Sequence, residues 1–329
     1  MNLKNITRTP ALTCAVALIV TTGLAACGST GSSPAGTSGS GSAKKITVGF
    51  SPYNQSAPAL VGLAKGVKEY AQSKGAATLI ADPNNDPTKQ AEQIRSWIEL
   101  GQVDAVWVLA LNPTAIKALI PLAQSKGVGL LATGTPADYG KSAPDAGLSY
   151  SIIDYAAYGK AIGGALADCA NQRLGGSAKA LFAANPAGST GKAEEDAAIQ
   201  QALTAGSPGS TIVSTIDNKN DRLESQKATL TTIQANAGLN AVIGVSDEST
   251  MGPMTAFVQA RKDLSKSCIV GAGGSDEALA AVKAGKIYAD VAIQFSADMA
   301  QSVDELIRFA QDPKAAGKQL FTPFKTVKN

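Results

Sequence analysis

Short apolar runs alternate with helix-length amphipathic segments from residue 46 onward, and this alternation limits the possible folds more than any other feature. In the first half of the chain, the apolar runs predict strands at 46–50, 78–81, 105–109, 128–133 and 147–151. The segments between them predict helices at 59–74, 88–100 and 114–125. A steady order of strand, helix and strand is typical of parallel βαβ units, so we expect a doubly wound α/β sheet.

Residues at the ends of the predicted helices support this assignment. Gly75, Gly101 and Gly127 each follow a helical segment, where glycine commonly ends the last turn. Thr88 and Thr114 stand at the start of helical segments, and we predict that they are N-caps.

The same alternation recurs in the second half of the chain, which predicts two similar lobes in tandem. The predicted helices of this half are 155–172, 193–204, 222–236, 251–262 and 276–284. The predicted strands are 178–183, 211–216, 241–245, 268–272 and 287–294. Ligands bind at the carboxyl ends of the strands in open α/β sheets, so two facing lobes would form a ligand-binding cleft that a hinge can close.

The N-terminal segment has the pattern of a bacterial lipoprotein signal. Lys4 and Arg8 precede an apolar stretch at 11–26 that is too short for a typical membrane span, and the stretch ends in Leu-Ala-Ala before Cys27. We expect residues 1–26 to be removed and Cys27 to carry lipid on its thiol and its new amino group. Two alternatives are an ordinary secretory signal with an incidental cysteine and an uncleaved anchor.

The segment 27–44 is predicted to be a flexible linker. Its residues 28–42 are almost all Gly, Ser, Thr, Ala and Pro, which cannot nucleate a packed core. Its root-mean-square reach is about 20 to 25 Å, enough to keep a folded body near a membrane without lying on it.

The charged and polar composition excludes several classes of function. The chain has 29 basic and 26 acidic residues, without a dense basic cluster, which argues against nucleic acid and anionic surfaces as partners. It has no histidine, the commonest general base and zinc ligand. We therefore expect no metal and no cofactor, and we do not expect hydrolase chemistry.

Two cysteines remain in the body of the chain after Cys14 leaves with the signal and Cys27 is lipidated. Cys169 and Cys268 form an even pair, which favours a disulfide in an oxidising compartment. A loop of about 100 residues would gain up to about 4.7 kcal/mol in the chain-entropy model. The alternative is two separate buried thiols.

Four local segments carry a resemblance to a known family. They are Phe50-Ser-Pro-Tyr-Asn-Gln55, Asp104-Ala-Val-Trp-Val-Leu-Ala-Leu-Asn-Pro113, Ala241-Val-Ile-Gly-Val-Ser-Asp-Glu248 with Met251-Gly252, and Ile269-Val-Gly-Ala-Gly-Gly-Ser-Asp276. Their order and spacing resemble the type I periplasmic binding proteins, most nearly the ribose-binding-like branch that serves ABC sugar importers. The resemblance extends from residue 46 to about residue 328.

This resemblance implies a three-strand hinge. The chain would cross between lobes near 151–154, 294–296 and 318–321, and the helix 298–311 would return to the first lobe. The N-terminal lobe would contain 45–152 and 296–318, and the C-terminal lobe 153–295 and 319–329. In this layout Cys169 and Cys268 both lie at the far end of the second lobe, which makes a stabilising disulfide between them plausible.

The positions that bind sugar in the resembled family differ in this chain. The aromatic positions of the family correspond to Ala57 and Pro58, and its Asp-Arg pair corresponds to Gly134 and Thr135. The Arg on the first helix of the second lobe corresponds to Glu195, and the Asn at a later strand end corresponds to Ser246. The strand-end Asp corresponds to Gly273, and the family's Gln is retained as Gln294. The two arginines of the family pattern are therefore missing. Acidic residues could line the cleft instead: Asp154, Glu195, Asp221 and Asp247. This disfavours an anionic ligand and favours a neutral polyol, a small sugar or an amine-bearing compound.

We predict that the ligand contacts are drawn from eleven residues: Tyr53, Asn54, Gln55, Thr135, Asp154, Tyr155, Glu195, Asp221, Ser246, Asp247 and Gln294. Several have a purely structural alternative. Tyr53 could pack on the following helix, and Glu195 could be a solvated helix residue. Five others could serve only as helix caps: Asn54, Gln55, Asp154, Asp221 and Asp247. Trp97 and Trp107 are more readily explained as core residues than as sugar platforms.

The resulting hypothesis is a monomeric, lipid-anchored extracytoplasmic receptor that closes on a small sugar or polyol and presents it to an ABC permease. A cell with a single membrane would suit such an anchor. One alternative is an extracellular sensor of the same fold. Another is a glycosidase that uses carboxylates alone, although Glu194, Glu195 and Asp196 lie on one helix and do not face one another.

Overall fold

The computed structural model describes residues 45–219 and 221–329. The predicted signal peptide 1–26, the lipidation site Cys27 and the linker up to residue 44 lie outside these ranges. None of the helices in the described ranges has both the length and the apolar character needed to cross a bilayer.

The described chain alternates between strands and helices, as the sequence predicts. Its strands are β1 Thr47–Ser51, β2 Ala77–Ile80, β3 Ala105–Val108, β4 Gly129–Thr133, β5 Leu148–Ile152, β6 Lys179–Ala184, β7 Thr211–Asp217, β8 Ala241–Gly244, β9 Cys268–Gly273, β10 Ala289–Ile293, β11 Gln319–Phe321 and β12 Phe324–Lys328. Its helices are α1 Pro58–Ser73, α2 Pro87–Glu99, α3 Pro113–Lys117, α4 Ile120–Lys126, α5 Tyr155–Arg173, α6 Lys192–Gly206, α7 Arg222–Ala235, α8 Asp247–Gln259, α9 Asp276–Lys283 and α10 Phe295–Gln311.

These strands form two six-stranded sheets, one for each lobe. The first sheet has the order β11-β5-β4-β3-β1-β2, and all of its neighbouring strands are parallel. The second has the order β12-β10-β9-β8-β6-β7, in which only β12 runs antiparallel to its neighbour. The predicted fold of two doubly wound α/β lobes is confirmed.

The chain passes between the two sheets at three places in the described ranges. The first is at Ile153 and Asp154, the second at Gln294, and the third at Thr322 and Pro323. The third differs from the expected position near 318–321. Because β11 pairs with β5 from Gln319 to Phe321, these residues belong to the sheet of the first lobe and not to the second.

The predicted N-caps of two helices in the first lobe are wrong by two residues. Asp86 caps α2, since its Oδ1 accepts hydrogen bonds from the backbone N of Thr88 at 2.8 Å and of Lys89 at 3.1 Å. Asn112 caps α3 in the same way and accepts from the backbone N of Thr114 at 2.8 Å. In both cases a proline occupies the first helical position, where its missing N–H costs nothing.

Each sheet buries large side chains between itself and its helices. Phe50 and Trp107 pack with ring centroids 4.9 Å apart in the first lobe, and Tyr139 and Tyr150 pack 5.1 Å apart on the other face of the same sheet. Trp107 is 2% exposed, in agreement with its interpretation as a core residue. Burial of this kind contributes about 1.5 to 3 kcal/mol per large apolar side chain.

Helices α5 and α6 pack closely and carry two of the predicted ligand residues at their N-terminal ends. Gly159 and Gly163 of α5 face the α6 backbone, and a Cβ atom at either position would overlap the carbonyl oxygens of Glu195 or Ile199. Side chains larger than hydrogen would push the helices apart. The two glycines therefore place the start of α6 next to Tyr155 at the start of α5.

A disulfide joins Cys169 in α5 to Cys268 at the start of β9, with Cα atoms 5.7 Å apart. Both cysteines are fully buried. The carboxyl end of β9 is Gly273, so the bond lies at the end of the second lobe that is remote from the strand carboxyl ends.

Candidate ligand-binding site

The carboxyl ends of the second-lobe strands surround a cavity of about 310 Å³. This is the edge of an open α/β sheet where ligands bind. Four of the predicted residues line the cavity: Tyr155, Glu195, Ser246 and Asp247. Four further polar residues line it that the sequence analysis did not single out: Tyr158, Asn185, Ser189 and Thr190. Asn185 directly follows β6, so its position after a predicted strand could have indicated it.

A larger cavity of about 520 Å³ lies at the opposite ends of the strands in the first lobe. It opens between the start of β1 and the C-terminal ends of α2 and α4, and it is lined in part by Ile46, Leu100 and Gly127. Two acidic residues, Glu99 and Asp104, line it, and Asp104 accepts a hydrogen bond from the backbone N of Thr47 at 2.8 Å. We assign the ligand site to the smaller cavity, because polar side chains from several strand ends converge there.

Glu195 is a buried acid in the first turn of α6. Glu195 is 1% exposed, and its Oε2 accepts a hydrogen bond from Asn185 Nδ2 at 3.0 Å. Burial, with a smaller contribution from the charge of Asp196, raises the pKa of Glu195 to about 7, against the opposing effects of Asn185 and Lys192. The alternative of a solvated helix residue is therefore wrong.

Ser246 and Asp247 divide the tasks of capping and facing the cavity at the start of α8. Ser246 is the N-cap, and its Oγ accepts a hydrogen bond from the backbone N of Ser249 at 3.3 Å. Asp247 is the first helical residue, and its Oδ1 accepts from the backbone N of Ser275 at 3.1 Å and from Ser275 Oγ at 2.8 Å. Asp247 is thus held by the next strand-end loop and is not the cap.

Tyr155 and Tyr158 bring two phenols to the wall next to the hinge. Asp154 caps α5 by accepting from the backbone N of Ala157 at 2.9 Å, and this fixes the start of the helix. Burial raises the pKa of Tyr155, and the charge of Glu195 adds to the effect. The hydroxyl of Tyr158 donates to the backbone O of Val291 at 2.9 Å, so Tyr158 is a fixed part of the wall.

Asp290 is a buried acid near the cavity that the sequence analysis missed. It is 0% exposed, and neither of its carboxyl oxygens has a hydrogen-bond partner among the described residues. Burial, and then the charge of Asp247, raises the pKa of Asp290 to about 7. A charged residue inside the apolar run predicted at 287–294 was the available signal.

The predicted residues of the first lobe shape its strand-end loops. Asn54 Oδ1 accepts from the backbone N of Ser56 at 3.0 Å and of Ala57 at 2.8 Å, and its Nδ2 donates to Asn85 Oδ1 at 2.9 Å. The backbone N of Gln55 donates to Asp82 Oδ1 at 3.1 Å. These bonds order the loop between β1 and α1.

The other predicted residues form hydrogen bonds within their own loops and helix starts. Thr135 donates from its backbone N to Asp138 Oδ2 at 2.7 Å, and Gln294 donates from Nε2 to the backbone O of Ala292 at 3.1 Å. Asp221 is exposed and caps α7 by accepting from the backbone N of Glu224 at 2.8 Å. Asp221 is not among the residues that line the cavity.

Tyr53 lies on the first-lobe side of the hinge and is half-buried. Burial raises the pKa of Tyr53, and Tyr53 contributes weakly to the raised pKa of Tyr139 and of Tyr155. Tyr53 also packs against the apolar core of the first lobe.

Two α/β lobes that meet at three crossings, with a polar cavity at the strand ends, define a two-lobed ligand-binding protein. The pattern of the family described as "Periplasmic binding protein domain" matches residues 48–315. The chain belongs to this family, as the resemblance of its strand-end segments predicted. The family consists of extracytoplasmic binding proteins that are not enzymes, so the alternative of a glycosidase that uses carboxylates alone is wrong.

Individual relatives agree with this membership. The ribose import binding protein of Bacillus subtilis is 27% identical over 267 residues, which cover 78% of this chain and 79% of the relative. The xylitol-binding protein of Mycolicibacterium smegmatis is 26% identical over 265 residues, which cover 80% and 70%. A solved solute-binding protein of Actinobacillus succinogenes with bound D-allose matches with a TM-score of 0.71 and 16% identity, over 86% of this chain and 98% of that one. At that identity the structural likeness establishes the fold alone.

The lining of the cavity combines hydrogen-bond acceptors with apolar surface. None of the described residues that line it is a lysine or an arginine. Carboxyl, amide and hydroxyl groups alternate with Ile153, Val245 and Ile293. Such a lining can pair with hydroxyl groups of a ligand while covering its C–H surface.

Proposed function

We propose that this protein is the extracytoplasmic solute-binding lipoprotein of an ABC importer. Its two lobes close on a small neutral carbohydrate, a sugar or a polyol, and deliver it to a membrane permease. Membership of the periplasmic binding protein family supports the transport role, and relatives named for ribose import and for xylitol binding support the class of ligand.

The observation that carries the ligand class is the absence of a cationic side chain among the described cavity residues, together with the presence of Glu195 and Asp247. An anionic sugar acid or sugar phosphate would meet these carboxyl groups without a positive charge to offset them. A neutral polyol or sugar offers hydroxyl donors, and every buried hydroxyl needs a partner. The acidic lining therefore favours a neutral ligand.

We further propose that Tyr155, Glu195, Ser246 and Asp247 contact the ligand directly. The other predicted residues are candidates for contact when the lobes close: Tyr53, Asn54, Gln55, Thr135, Asp154, Asp221 and Gln294. Ligand would favour the closed form because only that form lets both lobes contact it.

The N-terminal pattern that ends at Cys27 supports a lipid anchor, with residues 27–44 as the tether of a monomeric receptor. Expression of the full chain in a bacterium with radiolabelled fatty acid tests this point. The native chain should incorporate label and sediment with membranes, whereas the Cys27→Ala variant should do neither. Label in the variant would contradict the anchor.

Isothermal titration calorimetry on the purified body tests the ligand class. The panel contains xylitol, ribitol, D-ribose, D-allose, glucuronate and ribose 5-phosphate. We expect binding of at least one neutral compound and none of the anions, and Asp247→Asn should weaken it about tenfold or more through loss of a charge-assisted hydrogen bond. Asp276→Asn, an exposed first-turn acid of the adjacent helix, is the matched control and should leave affinity unchanged.

Tight binding of an anion with no binding of neutral compounds would overturn the proposal. Small-angle scattering with the bound compound tests closure, since the radius of gyration should fall on saturation. An unchanged radius would count against the hinge.

A further inference from the structure

Two glycines stand behind the side chains that we assign to ligand contact in the second lobe. Gly191 is the N-cap residue of α6, with φ of +70°, and a Cβ built on it would overlap the ring of Tyr155. Gly273 ends β9, with φ of +125°, and a Cβ built on it would overlap the carboxyl group of Asp247. In each case the ligand-facing side chain fills the space that a side chain at the glycine would need.

Asp247 is also held from a second direction. Ser275 donates two hydrogen bonds to Asp247 Oδ1, which leaves Oδ2 as the oxygen next to Gly273. Tyr155 begins α5 directly after its cap, Asp154, so the helix start sets its backbone position and Gly191 borders its ring. Asp247 therefore has little freedom to turn, and the Tyr155 ring lies against the Gly191 backbone.

Left-handed backbone alone does not explain these glycines. Gly175, in the same lobe, has a φ of +64° that is comparable to the φ of Gly191, but the space around its Cβ position is open. Gly175 needs glycine only for its backbone conformation. Gly191 and Gly273 need it for their conformation and for the volume that Tyr155 and Asp247 occupy.

We propose that Gly191 and Gly273 are positioning residues that hold Tyr155 and Asp247 in their ligand-binding orientations. The proposal rests on the proposed function, because it takes a neutral carbohydrate as the ligand. The orientation of Tyr155 offers aromatic surface to the C–H groups of that ligand, and the orientation of Asp247 offers a carboxylate oxygen to its hydroxyl groups. The two glycines therefore set which ligand shapes the cavity accepts without touching the ligand.

Double-mutant cycles test this inference, with xylitol and D-ribose as the probes in calorimetry. Gly191→Ala and Gly273→Ala should each raise Kd about tenfold or more, since each displaces one binding side chain. In a Tyr155→Ala background, Gly191→Ala should change Kd less than about twofold, because the displaced ring is already absent. Gly273→Ala should likewise add nothing in an Asp247→Ala background.

Two controls separate positioning from general destabilisation. Gly175→Ala has backbone strain comparable to that of Gly191→Ala and should leave Kd within about twofold of the native value. The crossed pair Gly191→Ala with Asp247→Ala should show multiplied effects, since these residues belong to different contacts. Multiplied effects within the matched pairs, Gly191 with Tyr155 and Gly273 with Asp247, would overturn the inference.

A variant that loses its fold is replaced by a milder one. Ser275→Ala removes the two hydrogen bonds to Asp247 without backbone strain, and it should raise Kd in the native background but not in Asp247→Ala. Ser275→Thr keeps the hydroxyl and should restore binding. Equal effects of Ser275→Ala in both backgrounds would overturn the positioning of Asp247.

If neither probe binds the native protein, the cycles are measured on thermal unfolding instead. Gly191→Ala should then lower Tm more in the native background than in Tyr155→Ala, where only the backbone strain remains. An equal fall in Tm in both backgrounds would overturn the inference independently of the ligand.

Discussion

The two lobes share a sheet architecture, but they use the polar side chains at their strand ends differently. In the first lobe, buried Gln90 donates from Nε2 to Ser51 Oγ at 3.2 Å and to the backbone O of Leu109 at 2.9 Å. Its Oε1 accepts from the backbone N of Leu111 at 2.9 Å. Gln90 thus ties the ends of β1 and β3 together, and its side chain is fully buried and therefore not available to a ligand.

In the second lobe, the corresponding edge keeps acceptor groups for the cavity. Glu195 and Asp247 each have one oxygen bonded by a neighbour, Asn185 or Ser275, and the second oxygen of each has no protein donor within the described residues. In the proposed function, the first lobe therefore supplies a surface that is fixed by internal hydrogen bonds, and the second lobe supplies many of the groups that contact the ligand.

The same contrast holds for the buried acids of the two lobes. Glu305 of α10, 2% exposed, accepts hydrogen bonds from Ser149 Oγ at 2.6 Å and from Arg308 Nε at 2.9 Å, and pairs with Lys318 Nζ at 3.0 Å. Burial alone would raise the pKa of Glu305, but these partners outweigh it and lower the pKa. Asp290 in the second lobe has no such partner, and its pKa is raised to about 7.

Removal of Glu305, the buried acid with several partners, should have the largest effect on stability. Glu305→Ala would leave Arg308 and Lys318 facing a buried gap, and we expect it to lower the free energy of unfolding at pH 7 by about 3 to 5 kcal/mol. Chemical denaturation measures the loss. Because the pKa of Glu305 is lower in the folded state, its carboxylate stabilises the fold at pH values above the pKa of the unfolded state. This contribution is lost as pH falls through the pKa of the folded state, so the stability difference between the native protein and the variant should shrink in acid. A difference that grows in acid would contradict this account.

The unpartnered acid should behave in the opposite way. Asp290→Asn is close in shape to the protonated acid, so it should match the native protein at pH 4 and exceed its free energy of unfolding by up to about 4 kcal/mol at pH 8. The raised pKa of Asp290 stabilises the fold fully below the unfolded pKa, and this contribution is lost as pH rises through about 7. Asp276→Asn is the exposed control. A variant that is less stable at pH 8 would show that the carboxylate has partners after all.

The disulfide distinguishes the second lobe from the first among the described residues. A double Cys169→Ala, Cys268→Ala variant removes the bond across a sequence separation of 99 residues and should cost about 2 to 4 kcal/mol. The bond lies away from the cavity, so ligand affinity should change less than about twofold. Denaturation and calorimetry on the same sample test both statements, and a large loss of affinity would show that the two ends of the lobe are coupled.

The smallest expected effect concerns the pH dependence of ligand binding. Closure over the ligand removes more water from Glu195, which favours its protonated form, so Kd should rise about fivefold between pH 6 and pH 8 as the carboxyl with pKa about 7 ionises. The groups that face Glu195 are Asp196, Lys192, Asn185 and Tyr155. Glu195→Gln should make the profile flat. A profile that stays steep in this variant would assign the dependence elsewhere.

Much of the fold could be predicted because its signals are local. Apolar periodicity predicted the strands and helices of both lobes, and their order predicted parallel sheets. The details that failed depend on competition between neighbours. Asp86 displaced Thr88 as a cap because Pro87 already occupies the first helical position. The third crossing moved because β11 found a hydrogen-bonding partner in β5, about 170 residues earlier in the chain.

The candidate site was only partly predictable for the same reason. The sequence indicated Tyr155, Glu195, Ser246 and Asp247, and these four residues line the cavity, where strand ends converge at one edge of the sheet. It also indicated Asp221, which the structure leaves exposed at a helix start. Whether a polar side chain after a strand faces a cavity or caps its helix depends on packing from other elements.

The sequence by itself determined the class of this protein, because the alternation of apolar and amphipathic segments and the order of the strand-end segments are properties of neighbouring residues. Tertiary structure decided which polar atoms remain available to a ligand. Ser275, 28 residues away, donates a hydrogen bond to Asp247, and Gln90 donates to the backbone O of Leu109, 19 residues away. Hydrogen-bonding capacity is limited, so the chemistry of the cavity depends on contacts between residues that are distant in the chain.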